Sequence, residues 1–171
     1  MSKEVTVQCH GRDEDGSRCQ RMTSRTRYCP EHLKSIWGVS VKESGVPGAG
    51  LGLFAERDFK KGENIVEYRG HVVILLDPSS SSESESEEEE PIGGPYVVQT
   101  TRHMFIDAAR TDSEGRYVNA APKGKHNNAQ LVYDARKRVA NVRARVKIAA
   151  GKEIFMGYGG AYWRALKKKK K

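Results

Sequence analysis

The chain reads as a mostly β protein of several small sheets, with a small metal-stabilised module at its N-terminus. Three observations predict this. Seventeen glycines and six prolines punctuate 171 residues, too many breaks for a helical bundle and normal for a turn-rich β protein. Val, Ile, Tyr and Phe gather in short runs bounded by Gly and Lys, the pattern of short strands. All three cysteines fall between positions 9 and 29, with a histidine just behind at position 32.

Residues 1–36 are polar and carry the cysteine cluster. Residues 45–76 contain GLGLFAERDF and ENIVEYRGHVVILL, both strand patterns; KKGENI between them is a turn, in which Gly62 supplies backbone freedom. Residues 77–95 form a low-complexity insertion around SSSSESESEEEE, which has no apolar residue to offset its chain entropy and is expected to be disordered. YVVQT and HMFIDA are two further strands, and SEGRYVNA a short helix or 3₁₀ turn. DARKRVANVRARVKI alternates in part, basic on one face and apolar on the other. IFMGYGG and AYW close the fold, and Lys167–Lys171 form a basic tail that reads as solvated, as a nuclear import signal or as a phosphate-binding arm.

Composition narrows the classes. Apolar residues are 37% and charged residues 30%. No run of 18 apolar residues occurs, so no helical membrane span is encoded. The opening MSKEVTVQCHGRDEDG carries no apolar stretch of the kind a secretory leader needs. Three cysteines cannot all pair as disulfides, which favours a reducing, intracellular compartment. The net charge of +8 favours an acidic partner or surface. It also hides an asymmetry, because six of the 22 acidic residues sit in the single run at 79–90.

Cys9, Cys19, Cys29 and His32 follow the spacing C-x9-C-x9-C-x2-H. Three thiolates and one imidazole complete a tetrahedral zinc shell. YCPEH puts Cys29 and His32 in one tight turn, and His10 competes for the fourth place. The surrounding GRDEDGSRCQRMTSRTR is too polar to build its own core, so the metal would supply it. Four protein ligands leave no open position, which makes the zinc structural.

GVPGAGLGLFA fits neither a phosphate loop nor a dinucleotide fingerprint. Taken alone, Gly50 and Gly52 are turn glycines or a site where backbone approaches a ligand. The order of segments is more specific: GAGLGLFA, KKGENIVEYRG, FIDA, GRYVN, HNNAQL and GKEIFMGYGGAYW. This succession, over residues 38–166, resembles the SET-domain protein lysine methyltransferases. The resemblance implies a β-clip fold of small sheets with a pseudoknot, in which the RYVN and GYG segments thread together. It implies S-adenosylmethionine on one face and a target lysine entering by a narrow channel from the other.

Residue by residue, the resemblance assigns Gly50, Leu51 and Gly52 to the methionine end of the cofactor. Arg116 and Asn119 of RYVN match the segment whose asparagine contacts the cofactor, and Asn128 matches the second asparagine. Tyr68 lines the channel, Tyr158 stands nearest the reacting methyl, and Trp163 covers the adenine. The chain departs from the family at Ala120, where a histidine is usual, and at Met156, where an aromatic is usual. No cysteine cluster follows position 163, so Tyr162 and Trp163 must close that side without metal.

The chemistry suits these residues. Methyl transfer from a sulfonium is a direct displacement, so alignment is most of the catalysis. A lysine of pKa about 10.4 must lose its proton, which costs about 4.6 kcal/mol at pH 7. A nearby sulfonium and an apolar channel both lower that cost, so His71, His103 and His126 are not needed as bases. The expected substrate is a basic extended peptide, most plausibly a histone tail added as a strand beside the site, with Glu83–Glu90 attracting it by charge. Arg136, Lys137, Arg138, Arg143, Arg145 and Lys147 face nucleosomal DNA or solvent. Nuclear localisation follows from such a substrate. Two rival readings are a catalytically inactive SET-like chromatin subunit and a zinc-dependent nucleic-acid-binding protein.

Overall fold

The computed structural model describes residues 6–74, 96–101, 103–137 and 139–157. The acidic run at 79–90, Tyr158, Trp163 and the tail at 167–171 lie outside the described residues.

Among the described residues, ten strands build four small sheets. A two-residue hairpin, β1 (Val7–Gln8) with β2 (Met22–Thr23), opens the chain. A helical turn at Pro30–His32 runs on as a π-helical turn at Leu33–Trp37. β3 (Val39–Glu43) pairs antiparallel with β4 (Leu51–Ala55), in the register Val39↔Ala55 to Glu43↔Leu51. β5 (Asn64–Tyr68), β6 (His71–Ile74), β7 (Val97–Gln99) and β8 (Met104–Asp107) follow, and a 3₁₀ turn occupies Glu114–Tyr117. β9 (Ala129–Asp134) and β10 (Val139–Ala144) complete the set. The two three-stranded sheets have the orders β5-β10-β9 and β6-β8-β7, so β7 and β9 are both edge strands.

The mostly β class and the small sheets agree with the sequence, and so does the 3₁₀ turn in SEGRYVNA. Two runs that look continuous each divide. ENIVEYRGHVVILL turns a corner at Arg69–Gly70 and becomes β5 and β6, which belong to different sheets. The alternating run at 134–148 supplies the end of β9 and all of β10, with the chain reversing between them. In β10, Ala140, Val142 and Ala144 point into the core and Arg143 away from it. β3 was not expected at all; its partner β4 organises it.

One hydrophobic core joins these pieces. Val39, Leu53, Phe59, Ile65, Val66, Tyr68, Val118, Val142, Ile148, Ile154 and Met156 are all buried in it. Leu33, one residue after the last cysteine-cluster ligand, is buried in that same core, and Tyr28 and Trp37 pack against it. Among the described residues, no helix is long and apolar enough to cross a membrane.

Candidate functional site

The cysteine cluster assembles as a metal centre would. Cys9, Cys19, Cys29 and His32 each offer one donor atom, and the four atoms lie within 4.8 Å of one another. All three cysteines are buried and reduced. The hairpin sets Cys9 and Cys19 through Cys9 N–H donating to the Arg21 carbonyl (2.8 Å) and Cys19 N–H to the Gly11 carbonyl (3.0 Å). Cys29 is the N-cap of the helical turn, so His32 returns beside it, its Nδ1 3.3 Å from the Cys29 Sγ and 3.5 Å from the Cys9 Sγ. His32 Nε2–H donates to the Arg12 carbonyl at 2.7 Å; this fixes the tautomer that leaves Nδ1 available as a ligand. Backbone N–H groups of Gly11 (3.3 Å) and Cys29 (3.1 Å) donate to the Cys9 sulfur, which suits a thiolate. Gly11 must be glycine here, since a Cβ would run into the His32 ring.

Burial opposes ionisation of the Cys29 thiol, but the His32 backbone and ring and the two neighbouring sulfurs outweigh it and bring the thiol to about 7. The Arg12 carbonyl raises the His32 pKa. His10 is exposed and does not belong to the cluster. The donor set, three sulfurs and a nitrogen, fits tetrahedral zinc.

A second constellation lies where β3, β4, the 3₁₀ turn and residues 153–156 meet. Ser44 N–H donates to the Gly50 carbonyl at 2.8 Å and closes the loop between β3 and β4. Gly50 has φ +72°, a conformation L side chains rarely adopt. Asn119 Nδ2 donates to the Leu51 carbonyl (3.0 Å), to Ser44 Oγ (3.2 Å) and to Glu153 Oε1 (3.3 Å). Asn119 also forms a parallel bridge with Phe155, and its carbonyl accepts Met156 N–H at 2.9 Å. From the other side, Asn128 clamps the same segment: its Nδ2 donates to the Glu153 carbonyl (2.9 Å) and its Oδ1 accepts Phe155 N–H (2.8 Å). Glu153 in turn bridges to Phe54 of β4, and Ile154 N–H donates to the Leu53 carbonyl. Segments at 50–52, 119, 128 and 153–156 are thus laced into one body.

Tyr68 and Arg116 sit on the neighbouring flank. Tyr68 is buried, its hydroxyl donates to the Tyr96 carbonyl at 2.7 Å, and Gly115 packs against its ring. Arg116 donates to the Thr111 carbonyl at 2.9 Å and lays its guanidinium over the Tyr96 ring, 4.5 Å from the centroid. Its described contacts are with Thr111, Tyr96 and Tyr117. Sequence reasoning missed Tyr96, Ser44 and Glu153. A usable signal for Glu153 was a lone carboxylate directly before the apolar run Ile154–Met156.

The metal module is tied to this flank. Arg27 N–H donates to the Asp112 carbonyl (3.0 Å) and to Glu114 Oε1 (3.2 Å), and the Tyr117 hydroxyl donates to the Arg25 carbonyl (2.8 Å). Arg69 pairs with the other Glu114 oxygen at 3.3 Å. Burial pushes the Glu114 carboxyl up to about 7.

A groove of about 340 Å³ runs between the edge strands β7 and β9, lined by Val98, Gln99, Gln130, Leu131, Arg145 and Gly157 among others. Gly157 directly precedes Tyr158.

The SET domain family model matches residues 50–159. Histone-lysine N-methyltransferase ASHH3 of Arabidopsis thaliana is 24% identical over 131 residues, covering 77% of this chain and 33% of that protein. This chain therefore spans about a third of that relative's length. Among solved structures, ctPRC2 in an autoinhibited conformation bound to S-adenosylmethionine superposes with a TM-score of 0.52 at 22% identity, covering 77% of this chain and 17% of that one. That likeness is one of fold.

Proposed function

We propose that this chain, which belongs to the SET domain family, transfers a methyl group from S-adenosylmethionine to the side-chain amine of a lysine in a basic peptide, a histone tail being the best candidate. The observation that carries this is the lacing of Gly50–Gly52, Asn119, Asn128 and residues 153–156 into one body through Asn119. S-adenosylmethionine would supply a methyl already activated on a sulfonium. The residues present fit it: a glycine loop with a positive φ at Gly50, held through Asn119 to Ser44 and the Leu51 carbonyl, with Asn128 clamping the neighbouring 153–155 segment.

The chain's own part is binding and alignment. Gly50, Leu51 and Gly52 offer backbone to the cofactor, while Asn119 and Asn128 hold the walls; Trp163 covers the adenine. Arg116 shapes the flank through Tyr96. Tyr68 and Tyr158 form the lysine channel, rigid and apolar with one polar tip each. An apolar channel disfavours the ammonium and lets the neutral amine attack. Cys9, Cys19, Cys29 and His32 hold a structural zinc that keeps the 25–33 segment in shape against the 3₁₀ turn.

The groove between β7 and β9 suits a peptide added as an extra strand, since both flanking strands are sheet edges. The acidic run at 79–90 would draw in a Lys/Arg-rich tail, and basic residues such as Arg136, Lys137, Arg143 and Lys147 would meet nucleosomal DNA, while Arg145 lines the peptide groove. Such partners imply a nuclear protein. Ala120 and the fully buried Met156 favour one second reading, a SET-like chromatin subunit without activity. Incubation with methyl-labelled S-adenosylmethionine and core histones separates the two. Label on histone lysine supports the enzyme; cofactor binding without transfer supports the inactive subunit.

A further inference from the structure

We propose that Glu153 is the positioning residue that sets the 44–52 loop for the cofactor; the inference rests on reading that loop as the cofactor site. Glu153 as a residue is about nine-tenths buried. It accepts Ser44 Oγ–H at 2.6 Å, Gly45 N–H at 3.0 Å and Asn119 Nδ2–H at 3.3 Å. All three donors are neutral. Burying a charge among neutral dipoles is costly, but both oxygens are needed as acceptors here, Oε1 for Ser44 and Asn119 and Oε2 for Gly45 N–H, and an amide nitrogen could not accept the last of these.

The placement explains what the carboxylate does. Ser44 and Gly45 begin the loop, and Gly52 is the second residue of β4, just past its end. Glu153 bonds the beginning, and it packs so closely on Gly52 that a Cβ there would strike its carboxylate oxygen. Asn119, its third donor, holds the Leu51 carbonyl. Ser44 Oγ passes the restraint on by accepting Val46 N–H at 3.0 Å. One carboxylate therefore holds the start of the loop and packs on the strand just past its end, and the loop between them carries Gly48 and Gly50 at positive φ. Such a loop is ordered before the cofactor arrives, which lowers the ordering cost of binding. Charge-assisted hydrogen bonds are about twice as strong as neutral ones, so the charge sharpens the geometry.

The test is calorimetry of S-adenosylmethionine binding to the full chain, wild type against Glu153→Gln, with amide hydrogen exchange on the same proteins. The expected result is a dissociation constant raised roughly ten-fold or more in Glu153→Gln. Faster exchange should be confined to residues 44–52, with β9 and β10 unchanged and zinc content intact. Equal binding by wild type and variant overturns the inference. So does weaker binding with exchange raised throughout the core, which makes Glu153 a general stability residue. Wild type that binds no cofactor overturns the cofactor-site reading itself, a different outcome from either. Should Glu153→Gln fail to fold, Ser44→Ala decides. It keeps the carboxylate and removes one donor; weaker binding with local loosening supports the inference, and unchanged binding ends it.

Discussion

Asn119 and Phe155 run side by side as a parallel bridge, and Met156 N–H donates to the Asn119 carbonyl at 2.9 Å. A short parallel contact between Asn119 and residues 155–156 ties the Leu51 end of the glycine loop to the segment that Asn128 clamps. The Asn119 side chain spans the gap from that bridge to the Leu51 carbonyl. Asn119→Ala should therefore weaken cofactor binding and lower stability together, the latter by about 1–3 kcal/mol for buried partners left unpaired. Calorimetry and chemical denaturation of the one variant check both.

Metal removal should reach well beyond the cysteine cluster. Leu33 shares the main core, and Arg25 and Arg27 bond the 3₁₀ turn and its approach through their backbones. Cys19→Ala, or chelation, is expected to release one zinc per chain and to cost more than about 4 kcal/mol of stability. Near-ultraviolet circular dichroism should change at Tyr117 and Tyr68, not only locally. Elemental analysis showing no bound metal in the purified protein would contradict this.

Glu114 makes stability depend on pH. Burial raises its folded carboxyl to about 7, above the ordinary value of a glutamate in the unfolded chain. The native state then holds the proton more tightly, so the Glu114 contribution is complete below about pH 4.5 and declines as pH rises towards 7. The decline is at most on the order of 3 kcal/mol. Glu114→Gln should flatten the slope of unfolding free energy between pH 5 and 7.5, measured by denaturant titration.

The acidic run acts through long-range charge if it acts on the substrate. Deleting residues 79–90 should raise the KM for a Lys/Arg-rich histone peptide, more at low salt than at high salt. Its kcat should be unchanged. A KM identical at both salts would remove that role.

Much of this was legible in the residues themselves. The grouping of Cys9, Cys19 and Cys29 is legible from spacing, because every cysteine is used within a short polar segment; the choice of His32 over His10 as their neighbour comes from the fold. β4, β7, β8 and the 3₁₀ turn follow from local composition. The split between β9 and β10 was hidden because Ala135–Arg138 contains neither Gly nor Pro; the reversal is made by Asp134, whose Oδ1 accepts the N–H groups of Arg136 and Lys137. β3 was hidden because its order comes from pairing with β4. Tyr96 and Glu114 were illegible as site residues, since their roles depend on partners up to 87 positions away in the chain; Glu153 carried a local signal, but its partner Ser44 lies 109 positions away. Gly52 looked like a turn residue, yet it is a close-approach site against Glu153.

Tyr68 gives a more local check. Its buried hydroxyl meets the Tyr96 carbonyl, and Arg116 covers the Tyr96 ring. On the proposal that Tyr68 lines the lysine channel, Tyr68→Phe is expected to lower kcat several-fold with little change in the KM for S-adenosylmethionine. Steady-state kinetics at saturating peptide separates the two constants.

The most direct measurement is mass spectrometry of core histones incubated with S-adenosylmethionine and either wild type or Tyr158→Phe. The account predicts lysine residues that gain methyl groups with wild type, and a different degree or rate of methylation with the variant. Histones left unmodified by a wild-type protein that binds the cofactor would contradict it.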